Sequence, residues 1–195
     1  MKRTARIERK TTETNIVLEL NVDGSGTYDI HTPVGFFNHM MELFAKHGFF
    51  DLSLAAGGDV EIDFHHTVED AGICLGQAFK KALGAKENII RYADVKIPMD
   101  EALAQVSLDI SGRPYFVYNG PDFKGKVGDF DLELVEEFFQ AFAVHSAVTL
   151  HVSVLSGKNN HHIVEAIFKA CARAMDKATQ RDKREAGIPS TKGTL

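Results

Sequence analysis

Two adjacent histidine pairs, His65-His66 and His161-His162, stand out among the nine histidines of this 195-residue chain. A glutamate follows each pair four positions after its first histidine, Glu69 in one case and Glu165 in the other. Residues i and i+4 of a helix share one face about a turn apart, so His65 with Glu69, and His161 with Glu165, can share one ion. The second histidine of each pair, His66 or His162, is rotated about 100° away and reaches a different ion more easily. The spacing therefore points to two related metal sites. Imidazole with carboxylate suits a borderline divalent metal such as manganese, iron, cobalt or zinc. No thiolate is offered, which argues against a structural zinc knot.

A single cluster of this kind is more often a solvated helix start than a ligand set. Here it occurs twice, because the chain reads as a duplication. Residues 65–83 laid over 161–179 match at seven of 19 positions: both histidines, then Val, Glu, Ala, Lys and Ala. Upstream, 41–47 lies over 139–145, pairing Phe44 with Phe142 and His47 with His145, and the same offset sets His39 against Glu137. Glu13 falls over Glu101, and Gly24 over Gly112. A repeat kept only for packing preserves its apolar positions best. The polar positions match as well as the core does, which favours ligation. Residues 1–90 and 91–195 are read as two similar halves of one compact domain.

Each half has the same coarse grammar. Strands are expected over 15–22 and 103–110, with DGSG at 23–26 and SGRP at 111–114 as hairpin turns. Helices follow over 35–47 and 131–145, from apolar residues at i, i+3 and i+4 spacing. Further strands are expected over 49–55, 60–64 and 148–155, and a second helix closes each half over 66–83 and 162–180. This order suggests an α+β fold, each half a sheet with two helices on one face. The polar ending QRDKREAGIPSTKGTL reads as a flexible arm.

The composition, 44% apolar and 25% charged, is that of an ordinary globular protein. A net charge of −5 leaves no broad basic surface for nucleic acid. No stretch approaches the roughly 20 apolar residues that span a bilayer. Cys74 and Cys171 lie in apolar helical patterns, and the N-terminus lacks a secretory h-region, so a reducing cytoplasm is expected. Neither GxxxxGK[ST] nor GxGxxG occurs, which disfavours a nucleotide-binding enzyme.

The stretches HMMELFAKHGFFDL, HHTVEDAGICLGQAFKKALG, MDEALAQVSLDISGRPY, LVEEFFQAF, NNHHIVEAIFKACARA and PSTKG, with the glutamate-to-glycine run over 13–26, resemble the imidazoleglycerol-phosphate dehydratase family. The resemblance covers essentially the whole chain. It implies four helices as a layer between two mixed four-stranded sheets, and assembly into a shell of twenty-four subunits with metal sites at subunit interfaces. The implied reaction removes water from imidazole glycerol phosphate to give imidazole acetol phosphate, in histidine biosynthesis. No phosphatase-like segment accompanies these motifs, so a monofunctional enzyme is expected.

The resemblance further implies two Mn2+ ions per active site. One would be held by His39, His66, His161 and Glu165, the other by His65, Glu69, His162 and residue 137. Position 137 departs from the family's pattern, which often has His where this chain has Glu137. A glutamate is also a competent manganese ligand, and His145, eight residues on, is the alternative. Arg91 and Arg113 match substrate-binding arginines, and Thr191, Lys192 and Gly193 match a phosphate clamp. A planar guanidinium suits phosphate because it donates two parallel hydrogen bonds. Glu13 is the expected general acid–base, with His39 and His47 also contacting substrate and His47 available as a proton relay. Two other classes stay open on the residues alone: a di-metal hydrolase in which Glu13 or Glu101 activates water, and a non-catalytic metal-binding shell protein.

Overall fold

The computed structural model describes residues 2–195. The first half holds β1 (Thr4–Lys10), β2 (Thr14–Asn21), β3 (Tyr28–His31), α1 (Gly35–Gly48), β4 (Asp51–Gly58) and α2 (His65–Leu83). The second holds β5 (Tyr92–Met99), β6 (Ala102–Asp109), β7 (Tyr115–Asn119), the short β8 (Lys126–Val127) and β9 (Phe130–Asp131), then α3 (Leu134–Ser146), β10 (Thr149–Ser156) and α4 (Asn160–Thr179). The two four-stranded sheets run β1-β2-β4-β3 and β5-β6-β10-β7, the same order twice. In each, one outer pair is parallel, β3 with β4 and β7 with β10, and the other pairs are antiparallel. The α+β class and the duplicated unit of sheet plus two helices are thus as expected.

Period-two patterning puts one face of each sheet inside. Ile16, Leu18 and Leu20 of β2 are buried, as are Ala102, Ala104, Val106 and Leu108 of β6. The helices fill the space against these faces, and they cross between halves: α1 runs along α4, and α2 along α3. Two glycines permit the second crossing. A Cβ on Gly72 would meet the Phe138 carbonyl oxygen at 2.7 Å, and one on Gly76 would meet the Phe142 carbonyl oxygen at 2.7 Å. The matched increments mean that α2 and α3 run in the same direction. At the centre the repeat mates Phe44 and Phe142 meet with ring centroids 6.3 Å apart, and Phe79 stands edge-on to both. Rings from both halves therefore share one core, and neither half closes without the other.

Several expected elements are corrected. The segment 60–64 is not a strand. β4 is already flanked on both sides by β2 and β3, so no edge is free for it. The chain turns instead, with the Ile62 N–H on the Asp59 carbonyl, and Val60 and Ile62 stay exposed. The turns at 23–26 and 111–114 do not close hairpins, because β4 and β10 lie between the strands they connect. In the two four-stranded sheets the hairpin turns are at 11–13 and 100–101, between strand pairs of which β1 and β5, like the outer strands β3 and β7, were not expected. The third helix starts at Leu134 rather than 131, since Phe130–Asp131 pairs with Lys126–Val127.

The tail is docked on the segment that joins the two halves. The Asn88 N–H donates to the Gly187 carbonyl at 2.7 Å, and the Gly187 N–H donates to Asn88 Oδ1 at 2.8 Å. Cys74 and Cys171 are free and buried, and burial pushes both thiols up, Cys74 to about 11. Among the described residues, no helix is long and apolar enough to cross a membrane.

Candidate active site

The helix starts that carry the histidine pairs are built alike. Asp63 Oδ1 accepts the His65 N–H at 2.8 Å, and Asn159 Oδ1, at the matching place of the repeat, accepts the His161 N–H at 2.9 Å. Such capping satisfies a backbone donor that a first turn leaves free and fixes where the helix begins.

On the α4 side, three ligand types converge. His39 Nε2 from α1 lies 3.0 Å from Glu165 Oε1, and His161 Nε2 lies 3.1 Å from the same oxygen. Donor atoms of the three residues all fall within 4.8 Å of one another. Glu165 is buried, and its second oxygen accepts from Lys169 one turn on. Burial alone would raise this carboxyl, but hydrogen bonds from Lys169, His39 and His161 outweigh it and hold the group down at about 2. The Phe36 ring stands edge-on to His161 at 5.1 Å and limits its swing. His39 and His161 keep a solvent-facing side. Two imidazole nitrogens and one carboxylate oxygen at this spacing fit a divalent first-row metal as part of its ligand set.

On the α2 side the mate of this cluster does not close. His65 Nε2 is 3.7 Å from Glu69 Oε2, as the i, i+4 spacing requires. Glu137, the mate of His39, is exposed on α3. His145 is half-buried beside Arg9 and Glu69, and burial followed by Arg9 lowers its pKa.

The remaining two histidines are held by other carboxylates. His66 Nδ1 lies 3.0 Å from Asp59, with its Nε2 4.0 Å from Glu13 Oε1. His162 Nδ1 lies 2.8 Å from Glu101 Oε2. Each carboxylate raises the pKa of its histidine, and Glu101 itself is held at about 2 by His162 and by the N–H groups of Asn159 and Lys158. His47 is half-buried, and burial, then Lys169 and Arg173, lowers its pKa, so it is neutral at pH 7.

At the far end of α4 lies a cleft of about 580 Å³ lined by Arg91, Arg113, Ser190, Thr191 and Lys192, among others. Arg91 is buried in a left-handed backbone conformation (φ 76°) and braced by Asp109 at 2.7 and 3.1 Å and by the Pro189 carbonyl at 2.7 Å. Such a conformation costs on the order of 1–3 kcal/mol and persists only where the surroundings enforce it. Arg113 is 68% exposed and free to move onto a ligand.

A family model described as imidazoleglycerol-phosphate dehydratase matches residues 32–175. The chain belongs to that family. It is 60% identical over 195 residues, the full length of both chains, to an imidazoleglycerol-phosphate dehydratase of Pelobacter propionicus. It is 58% identical over 193 residues to one of Caldanaerobacter subterraneus subsp. tengcongensis, covering 99% of this chain and 100% of the relative. Among solved structures it is similar to the Staphylococcus aureus imidazoleglycerol-phosphate dehydratase, with TM-score 0.83, 41% identity, and coverage of 91% of this chain and 99% of the other. It is also similar to the Pyrococcus furiosus protein solved in complex with (S)-C348, with TM-score 0.82, 36% identity, and coverage of 97% and 100%.

In this dehydratase-family chain the expected site residues fall into separate groups. His39, His161 and Glu165 come together, whereas His66 stands apart from them beside Asp59 and Glu13. His65 meets Glu69, while Glu137 and His162 do not join them in a cluster among the described residues. Arg91, Arg113, Thr191 and Lys192 line one cleft, and Gly193, with φ 70°, follows Lys192 in the chain but is not part of the lining. Sequence reasoning missed Asp59, Asp109 and Lys169. Only Lys169 carried a local signal, its i+4 spacing from Glu165.

Proposed function

We propose that this chain removes water from imidazole glycerol phosphate to give imidazole acetol phosphate, in histidine biosynthesis, with two divalent metal ions (manganese foremost) in sites completed between copies of the chain. The observation that carries this reading is the convergence of His39, His161 and Glu165, whose donor set suits such an ion. His66 completes that set, and His65, Glu69, Glu137 and His162 form the other. A divalent metal held by these residues would supply Lewis acidity that makes a carbon-bound proton of the substrate easier for a side-chain base to take.

The chain's own residues do the rest. Glu13 is exposed at the β1–β2 turn and makes no side-chain hydrogen bond among the described residues, so one of its carboxylate oxygens is available to take the proton. His47, neutral at pH 7, can pass a proton toward the departing hydroxyl. Arg91, pre-set by Asp109, holds the phosphate from below, and Arg113, Thr191, Lys192 and Gly193 close over it.

Distance supports an assembly. Arg91 donates its N–H to the Ala178 carbonyl, 13 residues after Glu165 on α4. At about 1.5 Å per residue, roughly 20 Å separates the metal end from the phosphate end, too far for one small substrate. A homo-oligomer that sets the metal end of one copy against the phosphate end of another resolves this, and the twenty-four-subunit shell is such an assembly. Free buried thiols are in keeping with a cytoplasmic location.

The test is turnover under metal control. Chelator-stripped protein should be inactive, and Mn2+ should restore formation of imidazole acetol phosphate. Hydrolysis of esters or amides instead would favour the hydrolase, and bound metal without any turnover would favour the shell protein.

A further inference from the structure

Asp59 and Glu101 do the same thing in the two halves from unrelated places in the chain. Asp59 follows β4, and its two carboxylate oxygens lie 3.0 and 3.1 Å from Nδ1 of His66. Glu101 sits in the β5–β6 turn, and its Oε2 lies 2.8 Å from Nδ1 of His162. An ionised carboxylate only accepts, so each Nδ1 carries the hydrogen, and in the neutral ring each Nε2 is left as a bare lone pair. Both Nε2 atoms face away from the carboxylate that holds the ring.

The duplication makes this pairing informative. The repeat mate of Glu101 is Glu13, not Asp59. Glu101 is fully committed, its Oε1 also accepting the N–H groups of Lys158 at 3.1 Å and Asn159 at 2.8 Å. Glu13 stands 4.0 Å from the Nε2 side of His66, the opposite side of the ring from Asp59. The Asp59 N–H donates to the Glu13 carbonyl at 3.0 Å, so the two residues are tied by backbone while their side chains take different sides of one imidazole.

We propose that Asp59 and Glu101 are positioning residues that fix the tautomer and ring orientation of His66 and His162 so that Nε2 is presented to a metal ion. In the second half the turn glutamate performs this task. In the first half Asp59 has taken it over, which leaves Glu13 free for proton transfer. The inference rests on the metal reading above, and a carboxylate partner of this kind typically contributes 10–100-fold to metal affinity.

The decisive experiment reads the rings without metal. In chelator-stripped, 15N-histidine-labelled protein at about pH 9, where unperturbed imidazole is neutral, magic-angle-spinning spectra should show His66 and His162 both protonated at Nδ1. Asp59→Ala should return His66 to the Nε2–H form that free imidazole prefers and leave His162 unchanged, which also reports an intact fold. In the same variant Mn2+ affinity should fall about 10–100-fold, and Asp59→Glu should recover part of it. Glu101→Ala should produce the mirror result at His162. An unchanged His66 tautomer in Asp59→Ala overturns the proposal, as does a changed tautomer with unchanged Mn2+ affinity. A wild-type protein that binds no Mn2+ overturns the metal reading instead, and the metal-free spectra tell the two failures apart.

Discussion

His39 Nε2 and Glu165 Oε1 lie 3.0 Å apart although 126 residues separate them in the chain. One is on α1 of the first half and the other on α4 of the second, so the contact exists only because the helices cross between halves. The shared phenylalanine core fixes that crossing, and the crossing in turn brings together donors that neither half holds alone. The metal-type cluster therefore depends on the packing of both halves together.

Glu13 and Glu101 should respond differently to the same change. Glu13→Gln should lower kcat by about 10²–10⁴-fold, the usual contribution of a positioned acid–base group. Metal content should stay at the wild-type level, because the side chain ligates nothing. Steady-state kinetics with metal analysis on the same preparation checks this, and an unchanged kcat would remove Glu13 from the reaction.

The α2–α3 crossing should be intolerant of a single methyl group. Gly76→Ala sets a Cβ 2.7 Å from the Phe142 carbonyl oxygen and 2.8 Å from the Ser146 nitrogen. The helix-propensity gain of roughly 1 kcal/mol is outweighed by overpacking, so a net loss of about 1–3 kcal/mol is expected in urea unfolding. Gly35→Ala meets nothing within 4 Å and should be neutral or mildly stabilising.

Asp51 makes part of the stability pH-dependent. Its Oδ1 accepts the N–H groups of Ser25 at 2.8 Å and Thr27 at 3.2 Å, and its Oδ2 accepts from Asn21 at 3.0 Å. The Ser25 N–H, then Thr27 and Asn21 acting against burial, hold this carboxyl far below the usual carboxylate range. A depressed pKa gives stability that is present above the ordinary aspartate value near 3.8 and lost as pH falls below it. Asp51→Asn should cost about 1–3 kcal/mol at pH 7. The gap to wild type should shrink as unfolding is repeated toward pH 2.

The phosphate cleft should separate affinity from fold. Arg113→Ala removes an exposed, charge-assisted donor and should raise KM by about 10–100-fold with little change in thermal stability. Removing residues 189–195 should raise KM likewise or abolish turnover, while circular dichroism stays that of the full chain.

The interior helices and central strands were legible because burial imposes a period on them. The 3.6-residue spacing marks α1 and α3, and alternation marks β2 and β6. The outer strands β1 and β5 were not, since they bury little: of the seven residues of β1, TARIERK, only Ala5 is buried. Segment 60–64 misled for the opposite reason, having strand-like alternation but no edge to join. The metal-type cluster was readable from the duplicated His-His-x-x-Glu signal. Asp59 and Asp109 were not, because Asp59 meets His66 across a loop and Asp109 meets Arg91 beside the β5–β6 pairing, and no spacing rule predicts either meeting.

Complementation between two impaired variants, assayed at a substrate concentration below the raised KM of Arg113→Ala, tests the shared-site account most directly. Glu165→Gln removes the metal end of α4, and Arg113→Ala removes the phosphate end, in separate chains. Co-expressed and purified as mixed oligomers loaded with Mn2+, they should turn over imidazole glycerol phosphate well above either parent, because some sites then join an intact metal end to an intact phosphate end. Mixed oligomers no more active than the better parent would contradict the account and return the whole site to a single chain.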